Sequence, residues 1–393
     1  MSVFEFSTAG RIIFGRGASA RLGELAGELG RSALVITNAG EPGGGGVVDG
    51  LAGVLAAAGV RSVFLRQRGE PQVADVDRGV AEARRNECDL VVALGGGSAI
   101  DAAKAVAGLM TNGGAALDYM EVIGQGRKIA RPAAPWVAVP TTAGTGAEVT
   151  ANAVIACGEK HFKASIRSRY LLASLVLVDP ELGVTVRPEI TARAGLDALC
   201  QLIESYTSNR AQPITDALAL DGICRAARAL PIAFADGSNL DAREDMAMAA
   251  LLSGITLANA GLGAVHGFAA PLGANFPVPH GIVCGALLPH VMRANVRALR
   301  ELSPDRPALS RYAAIGRALT GRAGLADSDA VEAGIRHVEY LVRDLGIPPL
   351  GQFGLTRDRI AEMVALASRS SSMRYNPVKL SPQALAEILQ RSL

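Results

Sequence analysis

Residues 89–104 read DLVVALGGGSAIDAAK, and the fold turns on that stretch. Leu90, Val91, Val92, Ala93 and Leu94 form a short continuous apolar run closed by glycine, the pattern of a strand buried on both faces. From Ser98 onward the residues have helical spacing. Gly95, Gly96 and Gly97 place no Cβ between the backbone and a ligand, so their N–H groups and the positive end of the helix can face a pyrophosphate. Three glycines after a strand also suit a tight turn that binds nothing. A second loop favours the first reading. Residues 139–149, VPTTAGTGAEV, follow another apolar strand, and two small, hydroxyl-rich loops at strand ends can enclose a dinucleotide from both sides. Ser98 and Asp101 on the first segment, and Thr141, Thr142 and Thr145 on the second, are the candidate contacts.

Working outward, residues 3–6 and 12–14 read as a β pair joined at Ala9-Gly10, and 18–29 as a helix stopped by Gly30. Strands at 33–37, 62–66 and 89–94 alternate with helices at 47–58 and 73–86, which predicts a parallel sheet covered on both faces. Asn38 closes the strand LVIT, where dinucleotide folds carry an acidic residue that bonds the adenosine ribose and repels a 2′-phosphate. An Asn there either removes that repulsion or closes a turn. Residues 153–157 and 175–178 read as a further pair of strands, with Lys163 between them. From Pro188 onward almost every segment has 3.6-residue spacing. The predicted architecture is a Rossmann-like α/β nucleotide-binding domain over 1–180 followed by an all-helical domain over 181–393.

Composition bounds the function. At 393 residues about two domains are expected, and 49% apolar against 19% charged residues supports sizeable cores. A net charge of +2 gives no footprint for nucleic acid. Cys88, Cys157, Cys200, Cys224 and Cys284 are scattered without a CxxC, which suits free thiols in a reducing compartment. No basic segment followed by an apolar core opens the chain, and no run of 18 apolar residues occurs, so a cytoplasmic protein without membrane contact is expected.

In the predicted helical domain, Asp197 and Gln201 stand four apart and share one helix face. His266 and His280 are fourteen apart, and Pro271, Pro277 and Pro279 between them predict that the second arrives on a loop. Any one of these residues alone is commonly structural.

Together the segments resemble the iron-containing (group III) alcohol dehydrogenase family, in which GGGSxxDxAK and PTTAGTGSE form a characteristic pair. The opening FxFxxxGRIIFGRGA, LVLVDPEL at 175–182, GLDAL at 195–199 and the pair His266 and His280 extend the resemblance over nearly the whole chain. It implies an NAD(P)-dependent alcohol dehydrogenase or aldehyde reductase acting on a small alcohol or carbonyl compound in the cleft between two domains. It also implies a divalent metal, Fe2+ or Zn2+, on Asp197, Gln201, His266 and His280, with Asp197, His266 and His280 catalytic. Lys163 matches a family lysine near the cofactor, although an exposed hairpin lysine fits as well. NAD-preferring members often carry Asp where this chain has Asn38, so NADP is admissible beside NAD. Two positions depart from the pattern. Gln201 stands where the family has a ligand His, and Ala270 where many members have a His thought to pass protons. Those departures keep a nucleotide-binding pseudoenzyme in view, and the shared architecture keeps a dehydroquinate-synthase-like lyase. The N-terminal β pair could extend a sheet across a homodimer.

Overall fold

Residues 3–40, 43–44, 46–160, 162–302 and 307–393 are described in the computed structural model. The chain divides into two compact units, one of Thr8–Val186 and one of Arg187–Leu393 together with the segment ending at Ser7.

The first unit is built on β1 (Ile12–Phe14), β2 (Ser32–Thr37), β3 (Arg61–Arg66), β4 (Leu90–Gly95), β5 (Trp136–Pro140) and β8 (Leu175–Val178), all parallel, in the order β1-β8-β5-β4-β2-β3. Every residue of β2, β4, β5 and β8 is buried, as expected of strands covered on both faces, whereas the edge strand β3 is partly open. Helices α1 (Leu22–Leu29) and α2 (Val47–Ala57) share one core with Val35, Val92, Leu94 and Val139 of the sheet. Helices α3 (Val73–Arg85), α4 (Gly97–Asn112) and the short α5 (Ala116–Tyr119) complete the connections, and β6 (Asn152–Cys157) and β7 (Phe162–Arg167) form a separate antiparallel pair.

Two expectations change here. Residues 3–6 form no strand, and β1 instead lies parallel to β8, because Gly10 N–H bonds Ala173 C=O and carries the chain directly onto that edge. The partner of β6 is β7 rather than 175–178, so Lys163 lies within a strand; pairing with the next segment of chain closes a shorter loop than pairing with a distant one. Asp179 of the LVLVDPEL motif ties the end of β8 to the turn after β1. Its carboxylate accepts from Gly17 N–H, Ser19 N–H, Ser19 Oγ–H and Glu181 N–H.

The second unit consists of α6 (Pro188–Thr207), α7 (Pro213–Ala235), α8 (Leu240–Ala260), α9 (Ala264–Asn275), α10 (His280–Leu302), α11 (Pro307–Thr320), α12 (Asp327–Asp344), α13 (Ile360–Ala367) and α14 (Pro382–Arg391). Its central member is α6, buried without interruption from Gly195 to Thr207. No single helix among the described residues is long and apolar enough to cross a membrane. No disulfide joins the five cysteines.

One buried lysine holds the second loop to α4. Lys104 Nζ donates to Ala147 C=O (2.7 Å), Thr150 Oγ1 (2.9 Å) and Asn152 C=O (2.7 Å), with Asp101 at 3.9 Å. Burial pulls its pKa down to about 8 despite Asp101, and burial pushes the nearby Glu148 carboxyl up to about 7. The folded chain therefore holds the Glu148 proton between about 4.5 and 7, where the unfolded chain has released it. The resulting stabilisation is present at low pH and lost as pH rises through 7. Glu148→Gln should be more stable than wild type at pH 8, by on the order of 1–3 kcal/mol, with the gap closing towards pH 4.5 in denaturant titrations. Equal stability of the two proteins at pH 8 would mean that Glu148 is not held against its charge.

Candidate active site

The strand order reverses between β2 and β4, since β3 lies beyond β2 on one side and β5 beyond β4 on the other. Loops leaving the carboxyl ends of such neighbours form the ligand crevice of an open parallel sheet. Asn38 follows β2 and Gly95–Gly97 follow β4, so both lie at that crevice. Asn38 Oδ1 accepts the Gly96 N–H at 3.0 Å and so ties the two loops across the reversal. With that N–H committed, the groups left to meet a phosphate are those of Gly97 and Ser98, in the first turn of α4, where no intrahelical acceptor exists.

The three glycines are not equivalent. Gly95 has φ +150°, and a Cβ there would stand 2.0 Å from Asn38 Oδ1. A Cβ on Gly97 would meet Thr145 Oγ1 at 2.8 Å, and one on Gly96 would meet Thr142 Oγ1 at 3.0 Å. Thr142 and Thr145 therefore lie directly against the glycine loop, and Thr141 N–H bonds Gly95 C=O at 3.0 Å. The structure brings together Asn38, the glycines, Thr141, Thr142 and Thr145. It takes Asp101 into the contact with Lys104, where burial raises its pKa to about 6, and pairs Lys163 with Glu70 at 2.6 Å.

In the helical unit three donors converge on one oxygen. Asp197 Oδ1 lies 3.2 Å from His266 Nε2, 3.6 Å from His280 Nε2 and 3.3 Å from Cys284 Sγ. One donor atom each from Asp197, His266, His280 and Cys284 falls within 4.8 Å of the others. Burial opposes the charge on Asp197, yet His280 and His266 together hold its carboxyl far below the usual range.

Local sequence explains the convergence. Gly281 lets α10 meet α6: a Cβ there would lie 2.1 Å from Arg193 C=O. His280 opens α10, and Cys284 follows one turn later on the same face. His280 thus stands on a helix rather than a loop; Pro279 supplies the break just before it. Pro271 does not end α9, which runs on to Asn275, since an internal proline removes one hydrogen bond and a helix can survive that loss.

His266 is oriented from behind. Its Nδ1 lies 2.7 Å from Glu204 Oε2, and the other Glu204 oxygen accepts the Val265 N–H at 2.7 Å. The carboxylate accepts, so Nδ1 carries a proton. Burial opposes charge on the ring, yet with Asp197 on Nε2 and Glu204 on Nδ1 its pKa is raised, so both nitrogens donate. Glu204 behind Nδ1 leaves Nε2 as the nitrogen that would give up its proton to a cation. Gln201 Oε1 accepts from Ser253 Oγ at 2.7 Å. Ala270 lies exposed on α9 and carries no proton. Reading for family positions missed Glu204 and Cys284, although spacing offered both: Glu204 is seven residues after Asp197, and Cys284 four after His280.

A carboxylate and two imidazoles packed together suit a divalent cation. With a crevice of the nucleotide-binding kind in the same chain, they fit a class of nucleotide- and metal-dependent enzymes. The chain belongs to the iron-containing alcohol dehydrogenase family: residues 9–180 match the family model "Iron-containing alcohol dehydrogenase" and 191–393 match "Fe-containing alcohol dehydrogenase family, C-terminal". It is 36% identical to 1,3-propanediol dehydrogenase of Klebsiella pneumoniae over 99% of both chains. It is 32% identical to NAD-dependent methanol dehydrogenase of Bacillus methanolicus over 97% of both. A crystal structure of 1,3-propanediol oxidoreductase superposes with a TM-score of 0.92 at 34% identity, covering both chains fully. The protein is accordingly an enzyme, an oxidoreductase acting on CH–OH groups.

Because Gly95 combines left-handed backbone with the Asn38 contact, Gly95→Ala should weaken dinucleotide binding by about tenfold or more, and Gly96→Ala by less. Calorimetric titration of both variants with dinucleotide checks the order, and equal affinities would remove the Asn38 contact from the site.

Proposed function

We propose that the chain interconverts a small alcohol and its aldehyde or ketone using NAD or NADP and one divalent cation, with residues 1–180 as nucleotide domain and 181–393 as metal-bearing catalytic domain. The convergence of His266, His280 and Cys284 on Asp197 Oδ1 carries this reading, because a buried carboxylate ringed by imidazoles has the donor chemistry for such a cation. Asp197, His266 and His280 hold it, with Gln201 as an auxiliary oxygen. When bound, the cation supplies Lewis acidity at the substrate oxygen and the nicotinamide supplies or takes the hydride. Asp197 brings the negative charge, Glu204 fixes the ring of His266, and Gly97 and Ser98 present N–H groups to the pyrophosphate. Asn38 keeps the glycine turn closed and adds no charge beside the ribose, so both dinucleotides are admitted. The cytoplasm and a homodimer, testable by localisation and by mass in solution, complete the reading.

Purified protein assayed with NADH and NADPH against a panel of aldehydes tests the proposal, together with chelator-stripped protein. Turnover lost on stripping and regained with Fe2+ or Zn2+ is expected. Cofactor binding without turnover on any carbonyl would leave a pseudoenzyme. Asp197→Ala and His266→Ala should lose both metal and turnover, while Glu204→Gln should weaken metal binding by roughly 10–100-fold. Asn38→Asp preserves the acceptor for Gly96 N–H and adds a charge, so the NADP-to-NAD ratio of kcat/KM should fall by about tenfold. An unchanged ratio would place Asn38 away from the ribose.

A further inference from the structure

The family's ligand pattern is one imidazole short at Gln201, whose side-chain oxygen is already engaged by Ser253 Oγ at 2.7 Å. A neutral amide oxygen is a weak donor, and one that also accepts a hydrogen bond is weaker. Within the same cluster lies a stronger donor. Cys284 Sγ is 3.3 Å from Asp197 Oδ1 and 3.8 Å from His266 Nε2. Cys284 is fully buried.

We propose that Cys284 replaces position 201 as the fourth protein donor and turns the centre into an Asp–His–His–Cys site that prefers Zn2+ to Fe2+. This rests on the reading that Asp197, His266 and His280 bind a divalent cation.

Three observations carry the assignment. The first is metric. Zinc bonds of roughly 2.0–2.3 Å to O, N and S ligands imply tetrahedral edges of roughly 3.3–3.7 Å. Four of the six edges of the cluster measure 3.2, 3.6, 3.3 and 3.8 Å, and the two between His280 and His266 or Cys284 lie within 4.8 Å. The second is placement. His280 and Cys284 form a pair one turn apart on α10, the spacing that Asp197 and position 201 have on α6. Gly281 and Gly285 permit α10 to lie close to α6, with added Cβ atoms reaching Arg193 C=O at 2.1 Å and Leu196 Cδ1 at 2.9 Å. The third is donor strength. A thiolate adds a second anionic donor directly on the cation beside the Asp197 carboxylate, whereas a neutral amide adds none. On binding, the Sγ–H bond breaks, its proton leaves to solvent and the sulfur lone pair forms the metal bond. Thiolate softness would then favour zinc over iron.

The test uses full-length protein stripped with chelator and reloaded with Co2+, whose thiolate complexes absorb strongly in the near ultraviolet. Wild type and Cys200→Ala, which removes the other sulfur near the cluster (3.9 Å from His266 Nδ1), should bind one Co2+ per chain and show the charge-transfer band. Cys284→Ser, nearly the same in shape, should lack the band and bind more than tenfold more weakly. Competition between Zn2+ and Fe2+ under anaerobic conditions, read by elemental analysis, should favour zinc in wild type, with the preference narrowed in Cys284→Ser. Retention of the band in Cys200→Ala assigns the sulfur to Cys284 even if Cys284→Ser fails to fold. Cobalt bound by wild type without a band, or a band that persists in folded Cys284→Ser, overturns the thiolate assignment and leaves the cation on Asp197, His266 and His280. Wild type that takes up no cobalt overturns the metal reading and this proposal with it.

Discussion

The helical unit depends on a charge placed where charge is costly. Asp197 sits in the middle of α6, walled in by its neighbours, and a carboxylate in that position persists only when opposite charge or strong donors surround it. His266 and His280 meet that demand from α9 and α10. Because the compensation must come from two other helices, their positions are constrained as well. Glycine at 281 allows the approach of α10, and Glu204 caps the first turn of α9 while holding the ring of His266. Packing and electrostatics are therefore one requirement here. A larger residue at 281 would separate the donors before any of them was changed.

The α/β unit answers a similar demand differently. Lys104 is as deeply buried as Asp197, yet its ammonium is satisfied by two carbonyls and a hydroxyl, with Asp101 farther off. Those acceptors belong to the segment that follows Thr141, Thr142 and Thr145, so the lysine sets the height of the second loop against α4. The lysine of the motif around the glycines is thus explained by the loop it anchors, while the N–H groups of Gly97 and Ser98 open α4 without intrahelical acceptors. A charged side chain near a nucleotide loop need not touch the nucleotide.

Much of this is legible from residue patterns. Continuous apolar runs mark β2, β4 and β5, because strands buried on both faces need no alternation, and the glycine segment falls at the end of β4 as its sequence implies. What misleads is local pairing. Residues 3–6 alternate like a strand, but strand pairing is decided by what the edge of the sheet offers, and β8 offers its edge to β1. Prolines mislead in part: Pro271 reads as a break but lies inside α9, whereas Pro277 and Pro279 do fall between α9 and α10. In the site, Asp197, His266 and His280 stand out by pattern. Cys284 does not, because a cysteine four residues beyond a histidine has meaning only once another helix brings a carboxylate to meet both.

A donor set can change its members and still suit a divalent cation. Replacing an imidazole by an amide at 201 keeps the formal charge but lowers donor strength, and the Ser253 hydrogen bond lowers it further. A neighbouring thiol raises donor strength and, once deprotonated, adds a negative charge. In the absence of a cation, burial drives the Cys284 pKa upward, so the thiol is inert as a nucleophile and its chemistry is confined to the one partner able to displace its proton. A softer, more electron-rich set makes the cation a weaker Lewis acid toward the alcohol oxygen. The proposed Asp–His–His–Cys centre would hold its metal more firmly while activating substrate less, a balance set by Cys284 rather than Gln201 as the fourth donor.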